Sequence, residues 1–115
     1  MLSKQELNEK LAELYKIQPY VLLHFSQPMT GRLLPPAMIL LIDDSARMFD
    51  LMIEHNILIE FAWVNLGDID DKYYTARKKN SVGATDIIFV KDHESQQAAA
   101  RFAIAMALVK LAESK

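Results

Sequence analysis

The run Ile57-Leu-Ile-Glu-Phe-Ala-Trp-Val-Asn-Leu66 carries apolar residues on both of its alternating faces. A strand of this kind calls for cover on both faces, as in sheets packed between helices. A long Ala-rich segment then closes the sequence, from about Glu94 to Glu113. Together the two patterns predict an α+β fold: a three- to four-stranded, mainly antiparallel sheet sandwiched by helices in helix-sheet-helix layers.

The remaining elements follow from local signals. Ser3 and Glu6 form a Ser-x-x-Glu capping box, and Leu7, Leu11 and Leu14 follow at helical spacing. A first helix is expected from about Lys4 to Lys16, with Pro19 ending it. Residues 20–25 read as extended, and residues 26–36, with Pro28, Gly31, Pro35 and Pro36, as a loop. Residues 37–42 are open between a strand and the front of a helix. Asp43, Asp44 and Ser45 are N-cap residues for a second helix, with Met48, Leu51, Met52 and His55 on one face and Asn56 as its stop. After the strand at 57–66, a turn at 67–71, a strand at 72–77, a turn at 78–83 and a strand at 85–91 describe an antiparallel meander.

The closing helix is apolar almost all round. On a wheel, Phe102, Met106 and Val109 lie on one side, and Ile104, Leu108 and Leu111 nearly opposite. Such a helix is buried on more than one side. One stripe belongs on the sheet. The other is met either by the first two helices or by a second copy of the chain, which would make a homodimer.

A chain of 115 residues fits one domain, spanning 1–115, and buries a core without staples. The absence of cysteine excludes disulfides, thiol catalysis and Cys-ligated zinc. The polar start Met1-Leu-Ser-Lys-Gln-Glu lacks the apolar core of a signal peptide, and the longest uncharged apolar stretch, 33–42, is too short to span a bilayer. No membrane partner is expected. A net charge of −2 gives no electrostatic case for nucleic acid.

Chemistry is sparse. Asp68, Asp70 and Asp71 lack the further ligands, mid-loop glycine and distant glutamate of a calcium loop, and read as a solvated turn. Asp43 and Asp44 read as helix caps. His24, His55 and His93 stand far apart in sequence, with no His-Glu-x-x-His. Gly31, Gly67 and Gly83 are isolated, so no phosphate loop or dinucleotide fingerprint exists. No cofactor, metal or catalytic residue is expected. Tyr73, Tyr74 and Arg77, beside Lys78 and Lys79, carry the residue types that dominate interfaces. They are the first candidates for partner binding on the sheet, and Ile104, Leu108 and Leu111 those on the closing helix.

The Leu34-Pro-Pro36 approach, Asp43-Asp-Ser-Ala-Arg-Met-Phe-Asp-Leu-Met52, the strand Ile59 to Val64, Gly83-Ala-Thr85 and Ala98-Ala-Ala-Arg-Phe-Ala-Ile-Ala-Met-Ala-Leu108 resemble the phage ABA-sandwich domain family. The resemblance runs from about Leu34 onward. It implies a small accessory protein of phage origin acting in the bacterial cytoplasm, and carries over no activity. The expected function is therefore non-enzymatic: binding and modulating a host or phage protein, with an anti-defence role as one form of it. A small-molecule or nucleotide sponge, with a pocket between residues 26–36 and the strand at Tyr73–Arg77, is the alternative. A toxin immunity protein is a third.

Overall fold

The computed structural model describes residues 2–24, 29–33, 35, 37–81 and 86–114. Helix α1 (Lys4–Tyr15) begins as its capping box requires: Glu6 N–H donates to the Ser3 hydroxyl, and Ser3 N–H donates to the Glu6 carboxylate. It ends at Lys16, whose φ of 55° takes the chain out of the helix before Pro19 is reached.

Strands β1 (Tyr20–Leu23) and β2 (Ala37–Leu40) pair antiparallel as a two-stranded ribbon. Residues 37–40 are thus strand, and a 3-10 turn at Leu41–Asp43 follows. The expected loop at 26–36 lies partly outside the described residues. A two-stranded ribbon is marginal alone in water, and this one is anchored at its base. Leu41 N–H donates to the Pro19 carbonyl at 2.9 Å, and the buried Asn8 side chain also donates to that carbonyl, at 2.9 Å.

Helix α2 (Ser45–Glu54) is capped by Asp44, whose carboxylate accepts from the N–H groups of Ala46 and Arg47. Asn56 stops it, with φ 55°. Strands β3 (Ile57–Leu66), β4 (Ile69–Lys78) and β5 (Ile88–Phe89) form an antiparallel meander. The reversal between β3 and β4 is tighter than the expected five-residue turn. Gly67, at φ 60°, occupies the first central position of a two-residue loop, where a type II′ turn needs positive φ. Residues 69–71 therefore join the strand. The third strand is shorter than expected: Thr85 lies outside the described residues, and Val90–Asp92 form a 3-10 turn that packs Val90 against the core. Ser95 caps the closing helix, α3 (Gln96–Glu113).

The fold is α+β. Helix α3 lies on one face of the sheet, α1 packs behind it, and α2 packs beside it. Polar tethers mark the same neighbours. Gln96 donates to the Tyr74 hydroxyl and Lys110 meets Asp86 on the sheet side. Arg101 donates to Ser45 of α2, and Lys10 of α1 meets Glu113. Among the two readings of the all-round apolar helix, burial within one chain accounts for both stripes: Phe102, Val109, Ile104 and Leu108 all belong to one buried cluster with Leu7, Leu11, Met48 and Ile57.

The sheet face under α3 holds Ile57, Ile59, Tyr74, Ala76 and Ile88. The opposite face holds Leu58, Ala62, Val64, Tyr73 and Phe89 in part-exposed positions. Leu58 is 41% exposed. The radius of gyration, 16.2 Å, exceeds the about 13 Å of a compact chain of this length.

Candidate functional site

The alternation of β4 separates the residues that the sequence places together. Tyr74 turns towards α3, its hydroxyl accepting from Gln96 at 2.9 Å and its ring 5.1 Å from Phe61. Tyr73 turns to the open face, where its ring lies 6.1 Å from Phe89. Arg77 shares that open face and pairs with Glu60 at 3.6 Å. Tyr73, Tyr74 and Arg77 therefore do not form one patch. Ile104 and Leu108, 6% and 0% exposed, are enclosed within the chain and offer no surface to a partner, and Leu111 packs partly buried against the same core. Helices α1 and α2 pack on α3 and contribute to covering this stripe.

The acidic turn is likewise dispersed. Asp70 accepts from the Trp63 indole, and Asp71 pairs with Lys91 at 3.2 Å. Among the described residues, no group of three or more His, Asp or Glu side chains is placed to hold a metal ion. None of their helices is long and apolar enough to cross a membrane.

Two clefts remain. The first, of about 360 Å³, lies where the starts of α1 and α3 meet the turn before α2. Lys4 spans it, reaching Asp43 at 3.2 Å and Glu94 at 3.5 Å. His93 lies against the Phe102 ring with centroids 4.7 Å apart. Burial there lowers the His93 pKa from its ordinary value; Lys4 lowers it further, and Asp92 and Glu94 oppose the shift. The Ser3 hydroxyl beside it serves as the α1 cap.

The second cleft is a groove of about 770 Å³ between the ribbon and α2. Its floor is apolar: Ile17, Val21, Leu22, Leu41 and Leu51. Its rim is charged with both signs: Lys16 and Arg47, Asp50 and Glu54. On the ribbon, Leu22 pairs with Met38 and Tyr20 with Leu40, which puts Tyr20, Leu22 and Met38 on one exposed face at 47%, 54% and 63%. An apolar centre within a polar rim is the anatomy of a protein interface. The sequence did not single out Leu22, and it reads Met38 with the other methionines as core filler more readily than as a binding surface. The signal was the uncharged run at 20–23 facing the uncharged run at 37–40, which together leave a ribbon apolar on both faces.

Comparisons with known protein families, curated proteins and solved structures find no match to this chain.

Proposed function

We propose that this chain is a small, non-enzymatic accessory protein of phage origin that binds and modulates a host or phage protein, acting in the bacterial cytoplasm. The observation that carries the reading is the groove between the ribbon and α2, with its two-signed rim and an apolar floor that includes the exposed Leu22. An amphipathic segment of the partner fits such a groove, laying apolar side chains on the floor and pairing its charges with the rim. The phage origin rests on the resemblance of the 34–108 segment and on nothing else.

The test places a photo-crosslinking amino acid at Leu22 in cells and compares the cross-linked products with those of a probe at the exposed Lys72. The expected result is one discrete adduct from Leu22 and none from Lys72. Identical products from both positions, or turnover of a metabolite by the pure protein, overturn the reading.

The second reading is a small-molecule or nucleotide sponge; the pocket expected for it between residues 26–36 and the strand at Tyr73–Arg77 lies partly outside the described residues, and the Lys4–His93 cleft is the cavity that favours the reading. Native mass spectrometry of gently purified protein decides it: a retained mass of a few hundred daltons supports a ligand, and the bare chain mass counts against one.

A further inference from the structure

β3 is an edge strand. The sheet order is β3-β4-β5, so among the described residues one long side of β3 faces no strand. Its register with β4 is continuous from Ile57–Lys78 to Leu66–Ile69, with no bulge. It contains no proline and one charged residue, Glu60. The devices that blunt an edge are a proline, a bulge, inward charges or a covering element. Among the described residues, no backbone hydrogen bond from another element reaches β3 on that side.

The bonding direction of each residue is fixed by the hairpin. A two-residue loop closes on a hydrogen-bonded pair, here Leu66 and Ile69, and bonding alternates from there. Leu58, Glu60, Ala62, Val64 and Leu66 thus bond to β4. The bond from Lys79 N–H to the Asn56 carbonyl, 2.7 Å, continues the same even-numbered series. Ile57, Ile59, Phe61, Trp63 and Asn65 point their N–H and C=O groups out of the sheet edge. Phe61 and Trp63 also leave their rings 49% and 59% exposed beside it.

We propose that this edge pairs antiparallel with β3 of a second copy, with Phe61 opposite Phe61 across a two-fold axis normal to the sheet. A two-fold that joins antiparallel strands keeps each face on its own side, so opposed residues must share a face. The outward series then admits few centres. Centring on Glu60 sets two carboxylates directly opposite, which is unfavourable. Centring on Ala62 leaves the outward groups of Ile57 unpaired. Centring on Phe61 pairs the whole outward series: Ile57 with Asn65, Ile59 with Trp63 and Phe61 with itself. Glu60 then faces Ala62. The two three-stranded sheets become one, with both α3 helices on the same side. The interface is isologous, as a two-fold requires. It also brings Phe61 against Phe61 and Trp63 against Ile59 of the second copy.

The groove shares no residue with this edge, so this dimer and the proposed function stand or fall separately. Sedimentation equilibrium up to millimolar concentration reads the association. A dimer is expected for the natural sequence; a monomer throughout overturns the proposal. Phe61→Pro removes an outward N–H and leaves β4 pairing intact, as a proline on an edge can. It is expected to weaken the dimer by roughly a hundredfold through lost central bonds. An undiminished dimer overturns the proposal. The register is read separately, because the chain has no cysteine of its own. Glu60→Cys and Ala62→Cys chains, mixed and oxidised, are expected to cross-link only to each other. Like positions lie diagonally at about 7–8 Å, beyond disulfide reach, whereas unlike positions are directly opposed. No link in the mixture, or equal linking of each variant to itself, overturns the proposal even where Phe61→Pro does not fold.

Discussion

Asn8 and Ile42, 34 residues apart, are joined by the hydrogen bond that Ile42 N–H donates to Asn8 Oδ1 at 2.8 Å. Asn8 is fully buried, and its amide nitrogen donates in turn to the Pro19 carbonyl at 2.9 Å. One side chain thereby ties α1 to the base of the ribbon and to the turn before α2. Asn8→Ala strands a buried N–H, and each unsatisfied buried group costs about 1–3 kcal/mol. The midpoint of urea unfolding should fall accordingly. Asn8→Leu should lose at least as much, since its added apolar volume repairs neither bond. An unchanged midpoint in Asn8→Ala would show that water replaces the amide.

The position of Leu108 predicts a stability effect independent of concentration. It is 0% exposed at the centre of the α3 core, so Leu108→Ala should cost about 2–5 kcal/mol through lost burial and a residual cavity. Thermal unfolding at several protein concentrations checks this. A loss that disappears at high concentration would return the stripe to an interface between copies.

Two groups make stability depend on pH, with opposite signs. Burial against Phe102 lowers the His93 pKa, so the folded state favours the neutral ring. Above the unfolded value of about 6.5 both states are neutral and nothing is lost; as pH falls through that value the unfolded chain takes up the proton first. Stability should therefore decline on acidification from near neutrality, and His93→Gln should flatten that limb. Burial raises the Tyr15 pKa, and its hydroxyl donates to the Leu108 carbonyl. That contribution is complete below pH about 10 and is lost as pH rises beyond it. Tyr15→Phe should remove the alkaline limb. Denaturant titrations at a series of pH values read both.

Local chemistry made much of the fold legible. Ser3 with Glu6, Asp44 and Asn56 each place a helix end where the structure has it, because each satisfies a backbone group within a few residues. The span 57–66 is a strand throughout, since apolar β-branched and aromatic residues at that density favour one. The layer that buries a given stripe was not legible. Helix α3 has nearly equal apolar surface all round, so periodicity could not say whether α1, α2 or another chain met Ile104 and Leu108. The separation of Tyr73 from Tyr74 was implicit in the two-residue repeat of a strand. Adjacency in sequence hid it, and hid the cross-strand neighbours Phe61 and Phe89 that each ring meets. The groove escaped notice because its walls come from segments on either side of the 26–36 loop, and no local pattern reports that closure.

Leu22 and Leu41 both line the groove, and their burial separates docking from folding. Leu41 is 3% exposed and belongs to the core, so Leu41→Ala should cost about 2–5 kcal/mol and disturb everything that depends on the fold. Leu22 is 54% exposed on the ribbon, so Leu22→Asp removes little buried area and should move stability by no more than about 0.5 kcal/mol. The same change puts a carboxylate on the apolar floor that a partner must desolvate, and burying an unpaired charge is strongly unfavourable. Loss of the Leu22-dependent adduct with an unchanged melting curve is the expected outcome. Retention of full binding by Leu22→Asp would move the docking surface off the groove, and a collapse in stability would show that the ribbon carries the fold rather than the partner.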